Sequence, residues 1–245
     1  MVIIKSDDEI AIMRKCGKIL AAILDRLRAE VKPGIKTGWL DAVMGEESRK
    51  RGVVPSFKNY RGFPANLCVS VNDEVVHGIP GERILQEGDI VSLDVGAKLN
   101  GFHTDAAITV GVGRISKEAQ DLIAVTEGSL KSGIAQAVNG AWLGDISTAI
   151  QNYVESRGFS VVREYTGHGI GRDLHEEPQI PNFMMGKGIQ LLKGMTLAIE
   201  PMVNAGDWRT KVAANQWTVL TADGSLSAHF EHTIVITVGE PEILV

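Results

Sequence analysis

Two aspartates stand where the sequence otherwise predicts buried strands. Residues 89–110 form two apolar runs around Asn100-Gly101, a dipeptide typical of the two-residue turn of a β-hairpin. With that turn, Asp94 faces Ala107 across the hairpin, and Asp105 lies diagonally on the same face. Diagonal neighbours have Cα atoms about 7–8 Å apart, so both carboxylates reach one cation. Taken alone, the hairpin fits a solvated outer face better than a cation site.

Three later residues favour a metal site over that simpler interpretation. Glu200 ends an apolar run and precedes a proline, which favours an extended backbone. Glu231 interrupts another apolar strand, and His168 lies among glycines that permit close approach of neighbouring backbone. Each alone fits an ordinary structural role: a paired surface acid, a strand-edge acid, a core histidine. Together with the two aspartates they supply four carboxylates and one imidazole.

This set of side chains suits two divalent cations, because four negative charges balance two such ions. Oxygen-rich ligation with one histidine fits Mn²⁺, Fe²⁺ or Co²⁺ at least as well as Zn²⁺, and it requires neither cysteine. Other catalytic motifs fit less well. The glycines of residues 167–171 lack the spacing of a dinucleotide fingerprint, and His175 has no second histidine at the spacing of a helical zinc motif. The sequence has no P-loop and no nucleophile elbow.

Helices and strands must position these residues. Ser6 precedes Glu9 at the spacing of a capping box, and apolar periodicity then predicts a helix that ends before Pro33-Gly34. Further helices are predicted near residues 37–51, 116–138 and 145–157. Short strands rich in Val, Ile and Leu follow each helix pair, which indicates an α+β fold.

The two halves of the chain match at a constant offset. Eight positions of the first half map onto similar residues when 106 is added, among them Gly34 onto Gly140 and Asp94 onto Glu200. We therefore expect one catalytic domain, residues 1–245, internally duplicated at roughly 1–110 and 111–245.

Composition bounds the class of protein. The 245 residues are 44% hydrophobic with a net charge of −5, which favours a folded globular chain and argues against nucleic-acid binding. Two cysteines are too few for a disulfide framework, and the N-terminus is not that of a signal peptide. We expect a cytoplasmic monomer without a membrane segment.

Three ordered motifs resemble those of the methionine aminopeptidases, in the short bacterial type I form. They are NDEVVHGIP (residues 72–80), GHGIG (residues 167–171) and GMTLAIEP (residues 194–201). The resemblance covers essentially the whole chain. It implies the pita-bread fold, in which two pseudo-symmetric halves pack their helices on a curved antiparallel sheet. It further implies removal of the initiator methionine from nascent polypeptides, by attack of water activated by two metals on the first peptide bond.

The resemblance also implies roles for individual residues. Asp94 would chelate one metal, His168 and Glu200 the other, with Asp105 and Glu231 bridging both; the ions would be Mn, Fe, Co or Zn. Glu200 would also shuttle a proton, while two further histidines would bind substrate and stabilise the oxyanion: His77 and His175. An implied methionine pocket comprises five residues, Phe57, Tyr60, Phe63, Cys68 and Trp217. These residues suit a thioether, because sulfur–aromatic contacts are favourable.

Two residues differ from those usual at their positions in the methionine aminopeptidases. Arg61 and Leu174 stand where the family often has histidine and phenylalanine, which leaves the preference for the second substrate residue open.

Proline peptidases and creatinase carry an extra N-terminal domain, for which there is no room before Asp94. The type II form needs a helical insertion between Glu200 and Glu231, and the 30 residues between them cannot hold that insertion as well as the strands. A metal-free binding protein that reuses the fold is a further alternative, against which the five complete ligands weigh. Action near the ribosomal exit fits the implied task.

Overall fold

The computed structural model describes residues 2–245, which form four α-helices and fifteen short β-strands. The helices are α1 (Asp7–Glu30), α2 (Thr37–Arg51), α3 (Lys117–Ala135) and α4 (Leu143–Glu155). The strands of the first half are β1 (Val54–Pro55), β2 (Cys68–Val71), β3 (Glu74–Val76), β4 (Ile90–Leu99) and β5 (Phe102–Gly111). Those of the second half are β6 (Ser160–Val161), β7 (Thr166–Gly169), β8 (Glu176–Pro181), β9 (Thr196–Ile199), β10 (Met202–Asn204), β11 (Thr210–Val212), β12 (Val219–Thr221), β13 (Ser227–His229), β14 (Glu231–Val235) and β15 (Glu242–Ile243).

One large antiparallel sheet joins the two halves. Its strands follow the order β1-β4-β5-β14-β9-β7-β8, with β2 also paired to β4 and β15 to β14. Two three-stranded sheets flank it, in the orders β13-β10-β6 and β11-β12-β3. Since β14 lies between β5 and β9, the central strands of both halves share one hydrogen-bonded surface.

Local sequence explains where the helices begin. Ser6 accepts from the Glu9 backbone and Glu9 reaches back to Ser6, so the predicted capping box starts α1. The predicted bounds of α2 are those observed. Helix α4 begins at Leu143, two residues before the predicted start, because Asp145 accepts from the Trp142 backbone N–H at 2.9 Å and occupies the third helical position.

The hairpin of β4 and β5 has the predicted register. Asn100 and Gly101 form its turn with positive φ of 48° and 88°, the conformation that the two-residue turn requires. Asp94 pairs with Ala107, as predicted, which leaves the side chains of Asp94 and Asp105 on one face.

The opposite face of this hairpin packs on helices. Leu93 and Val95 share a buried cluster with Leu20 and Leu27 of α1, while α3 and α4 cover a second cluster built on the strands of the second half. Apolar burial of this kind is the main favourable term in folding. The sheet therefore has one face held by helices and one on which polar groups collect.

Backbone hydrogen bonds recur between the halves at an offset of 106 residues. Four bonds that connect the start of α2 to residues 81–85 have counterparts at the start of α4. The pairs are Gly34→Leu85 with Gly140→Leu191, Leu85→Ile35 with Leu191→Ala141, Thr37→Arg83 with Leu143→Ile189, and Gly38→Gly81 with Gly144→Lys187. All eight N···O distances lie between 2.8 and 2.9 Å.

Candidate metal centre and its cavity

Strand register brings five chemically active side chains onto one face of the large sheet. Ala107 of β5 pairs with Asp94 on one side and with Glu231 on the other. Continuing the β14–β9 register by one residue sets Glu200 opposite Glu231. These residues form one row across four strands.

A second row lies two residues away on the same face. His168 pairs with Ala198, and Ala198 pairs with Thr233. Thr233 Oγ1 accepts from the Asp105 backbone N–H at 2.8 Å and donates to the Asp105 carbonyl at 2.7 Å, which joins β14 to β5. Asp105 and His168 therefore face the first row, although 63 residues separate them in the sequence.

The side-chain atoms of these rows meet. Ligand atoms of Asp105, His168 and Glu231 all lie within 4.8 Å of one another, and all three residues are buried. His168 Nε2 lies 3.5 Å from Glu200 Oε1. Asp94 and Glu200 are half-buried and line the same cavity as the other three. All five predicted ligands are thus in one place.

Small residues make this convergence possible. A Cβ on Gly167 would lie 2.4 Å from the Ala198 carbonyl oxygen, and one on Gly169 would lie 2.2 Å from the Glu177 carbonyl oxygen. Both distances are far below a van der Waals contact, so only glycine allows β7 to pack between its neighbours here. Asn182 fixes the end of β9 by donating to the Glu200 carbonyl at 3.1 Å.

Burial and mutual repulsion disfavour the ionised form of these carboxylates. Burial raises the pKa of Asp94 to about 7. Burial, and then the negative charges of neighbouring acids, raise the pKa of Asp105, Glu200 and Glu231 well above the ordinary range. Four such acids cannot all ionise together unless positive charge lies among them.

The donors fit divalent metal ions. His168 Nδ1 is 2.8 Å from the Gly169 carbonyl oxygen, an acceptor, so the ring hydrogen stays on Nδ1 and Nε2 keeps a free lone pair. Burial lowers the pKa of His168 to about 4, which keeps the ring neutral. Asp94 Oδ1 and Glu231 Oε1 are buried and have no hydrogen-bond partner among residues 2–245. Free lone pairs on a neutral imidazole and on clustered carboxylates are what hard or borderline divalent cations bind.

A cavity of about 590 Å³ opens above the five residues. The residues of the predicted methionine pocket all line it: Phe57, Tyr60, Phe63, Cys68 and Trp217. Phe63 and Trp217 pack edge to face with ring centroids 5.2 Å apart. Cys68 pairs with Asp94 across β2 and β4, so the apolar end of the cavity lies next to the carboxylates.

Both predicted non-ligand histidines also line the cavity. His175 Nδ1 lies 2.7 Å from the Tyr60 hydroxyl, and its ring centroid lies 4.2 Å from that of His168. Burial, and then the neighbouring His168, lower the pKa of His175 to about 3. Burial also lowers the pKa of His77, whose ring packs edge to face on Tyr165. Two neutral imidazoles, each with one N–H, therefore face the cavity.

The residues that depart from the family pattern lie at the wall and mouth of the cavity. Leu174 is buried in its wall, while Arg61 is exposed in the turn of residues 60–62 with a left-handed φ of 50°. The guanidinium of Arg61 lies 5.4 Å from the centre of the Tyr60 ring. Neither residue is one of the five predicted ligands, so the departures leave the composition of the charge cluster unchanged.

Sequence reasoning missed three contacts around the site. Lys5 forms a buried ion pair with Glu176, which ties the N-terminal segment to the loop that carries His175. The bond between Tyr60 and His175 joins two loops 115 residues apart. His229 Nε2 lies 3.7 Å from Glu200 Oε2. The only available signal was the position of His229, two residues before Glu231 in the same apolar stretch.

Comparisons with known proteins extend over the whole chain. A sequence model of metallopeptidase family M24 matches residues 11–238. The chain is 55% identical over 245 residues to a methionine aminopeptidase of Clostridium perfringens, covering 100% of this chain and 98% of that protein. It is 54% identical over 238 residues to methionine aminopeptidase 1 of Bacillus subtilis, covering 97% and 96%. The crystal structure of a methionine aminopeptidase from Thermotoga maritima superposes with a TM-score of 0.98 at 49% identity, covering 100% and 99%.

Proposed function

The chain belongs to metallopeptidase family M24 and, within it, to the bacterial-type methionine aminopeptidases, and from this premise we propose that it removes the initiator methionine from newly made polypeptides. The observation that carries the proposal is the meeting of four carboxylates and one neutral imidazole beneath a cavity with an apolar, sulfur-compatible end.

In this proposal two divalent ions would be held by five side chains: Asp94, Asp105, His168, Glu200 and Glu231. Four carboxylates supply four negative charges, which two divalent ions would neutralise; this would offset the burial and the mutual repulsion that raise the pKa values of the acids. When bound, the ions supply the positive charge that lowers the pKa of water to near neutrality and polarises the scissile carbonyl.

Side chains of this protein then position the substrate. The apolar end of the cavity, with Cys68 and the edge-to-face pair of Phe63 and Trp217, accepts the flexible thioether of methionine. A peptide held there places its first carbonyl near the carboxylate face of the sheet. Shape and polarisability thus favour methionine over branched or charged first residues.

Neutral histidines stabilise the charge that develops on the carbonyl oxygen. When the Tyr60 hydroxyl donates to His175 Nδ1, the imidazole carries its hydrogen on Nε2, which makes that nitrogen a donor. His77, which also lines the cavity, supplies a second N–H. Donors of this kind act most strongly in a site that excludes water. Glu200, at the end of β9, takes a proton from the attacking water and passes it to the amine nitrogen as the peptide C–N bond breaks.

A peptide-cleavage assay tests the proposal. The protein is incubated with Met-Ala-Ser, with Leu-Ala-Ser and with N-acetyl-Met-Ala-Ser, each with Mn²⁺, with Co²⁺ or with a chelator. We expect free methionine from the first peptide in the presence of either ion, and little or no product from the other peptides or with the chelator. If no divalent ion supports release of methionine, the hydrolytic function is wrong and a metal-free binding protein becomes the better interpretation.

The nascent-chain substrate needs its own measurement. A reporter that begins Met-Ala is produced in a cell-free translation system without endogenous aminopeptidase, with and without the purified protein. Mass spectrometry of the reporter N-terminus should show loss of one methionine only where the protein is present. A reporter that keeps its methionine throughout would restrict the activity to free peptides.

A further inference from the structure

His229 is a buried histidine to which the proposed chemistry gives no role. It ends β13, pairs with Met202 of β10, and is 1% exposed. It does not line the cavity, and neither Nδ1 nor Nε2 has a hydrogen-bond partner among residues 2–245. A buried ring nitrogen without a partner costs the folded state free energy, so its presence calls for a physical reason.

The neighbour of His229 supplies that reason. Its Nε2 lies 3.7 Å from Glu200 Oε2, while the other oxygen of the same carboxylate lies 3.5 Å from His168 Nε2. Glu200 is therefore flanked by one imidazole at each oxygen. His168 directs its hydrogen away from Glu200, toward the Gly169 carbonyl, so His229 is the one of the two that can donate to the carboxylate.

An N–H that donates to one oxygen of a carboxylate fixes the direction of the other oxygen. The 3.7 Å separation between His229 Nε2 and Glu200 Oε2 lies just outside hydrogen-bond range, and the bond forms when the two atoms move closer.

We propose that His229 is a positioning residue, whose Nε2–H holds Glu200 Oε2 so that Oε1 stays directed at the metal centre. Groups that hydrogen-bond to metal ligands in this way typically change metal affinity about 10- to 100-fold when removed. The inference rests on the proposed function, because it needs Glu200 to bind a metal ion.

A matched pair of substitutions separates positioning from packing. His229→Gln keeps a side-chain N–H, whereas His229→Met has nearly the same length as glutamine without a donor. Mn²⁺ alone is titrated calorimetrically into each full-length protein. The thermal midpoint of each metal-free protein is measured in chelator. We expect His229→Met to bind Mn²⁺ at least about 10-fold more weakly, and His229→Gln to stay within about threefold of the original chain.

The thermal midpoints of the metal-free variants distinguish a positioning role of His229 from a packing role. His229→Met removes two unpartnered nitrogens, so its metal-free midpoint should equal or exceed that of the original chain. In a Glu200→Gln background, the change at residue 229 should no longer alter Mn²⁺ affinity, because the carboxylate to be positioned is gone.

Three results would overturn the inference: unchanged Mn²⁺ affinity in His229→Met, equal weakening by Gln and Met, or an undiminished effect in the Glu200→Gln background. If His229→Met does not fold, the comparison of His229→Gln with the original chain decides, since a loss of affinity beyond threefold contradicts a donor role. An original chain that binds no Mn²⁺ and releases no methionine would instead refute the proposed function.

Discussion

Asp105 shows what a single residue contributes to this site. It is buried, its backbone is held by Thr233 of a different strand, and its carboxylate lies within reach of both His168 and Glu231. Because burial and neighbouring acids raise its pKa, its negative charge destabilises the metal-free fold and is useful only when a cation is bound. Asp105 thus lowers the stability of the metal-free fold and supplies a negative charge for metal binding.

Asp105→Asn should therefore change activity and stability in opposite directions. Removing a proposed bridging charge should lower ion-dependent release of methionine by on the order of 100-fold or more. The same change should raise the thermal midpoint of the metal-free protein by a few degrees, since about 1 kcal/mol corresponds to roughly 2–4 °C in a domain of this size. Asp25→Asn, an exposed change on α1, serves as the control. Near-native turnover of Asp105→Asn would contradict a bridging role.

His77 separates catalysis from metal binding. It lines the cavity but belongs to neither row of ligands, so His77→Ala should lower kcat by about 10²-fold or more while the Mn²⁺ affinity changes less than about threefold. Steady-state kinetics and calorimetry measure the two quantities independently. Loss of Mn²⁺ binding would make His77 a ligand or a structural residue.

The positions of many individual side chains in the site follow from the sequence, because strand register decides which side chains share a face. The pairing of Asp94 with Ala107 follows from one two-residue turn. The bond between Tyr60 and His175 does not follow, since it depends on how two irregular loops approach each other. The contact between His229 and Glu200 does not follow from the sequence either. Glu200 lies beyond the end of a strand, where strand periodicity no longer fixes the direction of a side chain.

At the scale of elements, short turns hold the small strands in place. Asp223, between β12 and β13, accepts backbone N–H groups from Asp207 at 2.7 Å and from Ser225 at 3.0 Å. The hydrogen bond from the Asp207 backbone, followed by those from Ser225, lowers the pKa of Asp223 from 3.8 to about 2. The charged carboxylate thus joins the loop between β10 and β11 to the loop that leads into β13, the strand that ends at His229.

This turn gives a pH-dependent prediction. Because its folded pKa lies below its unfolded value, Asp223 stabilises the fold above about pH 4, and this contribution is lost as pH falls toward 2. Asp223→Ala should lower the free energy of unfolding at pH 7 by about 1 kcal/mol, the usual net contribution of a hydrogen bond. Urea denaturation at pH 7, 4 and 3 should show the difference from the original chain shrinking as pH falls. A difference that grows with acidity would contradict the assignment.

Helices were easier to predict than their ends. The apolar periodicity and the capping box place α1 correctly, because both are local signals. The sequence pattern places the start of α4 at Asp145, whereas Asp145 is the third residue of the helix and accepts from the backbone N–H of Trp142, the N-cap residue. The turn of residues 60–62, with Arg61 in a left-handed conformation, has no sequence signal beyond its glycine.

For the whole molecule, we propose that the two halves are a structural duplication. The four backbone hydrogen bonds that recur at an offset of 106 residues support this view, as does the common strand position of Asp94 and Glu200 in one row across the sheet. The proposed ligands come from both halves, two from the first and three from the second. The predicted family, α+β pita-bread fold and enzyme class are confirmed by the whole-length similarity to bacterial methionine aminopeptidases.

Other properties of the whole molecule remain predictions. Within residues 2–245, no helix combines the length and apolar character needed to span a bilayer. We propose a cytoplasmic monomer that meets its substrate near the ribosomal exit, in keeping with the nascent-chain substrate. Size-exclusion chromatography with light scattering should give a mass near 26.4 kDa, and a dimer mass would contradict the monomer.

Since the proposed ligands come from both halves, metal binding should stabilise the domain as one unit. An ion at about 100 times its Kd adds about 2.7 kcal/mol to the folded state, which corresponds to roughly 5–10 °C in the thermal midpoint. Scanning calorimetry with Mn²⁺ should show one transition that moves upward, and the shift should be much smaller in Asp105→Asn. An equal shift in that variant would indicate ion binding elsewhere.

Anomalous diffraction from a crystal of the protein soaked in Mn²⁺ shows whether the five side chains hold metal ions. We predict two anomalous peaks on the carboxylate face of the sheet, in contact with Asp94, Asp105, His168, Glu200 and Glu231. Peaks confined to other surfaces, or a Mn²⁺-soaked crystal with no peak among these five side chains, would contradict the proposed metal site.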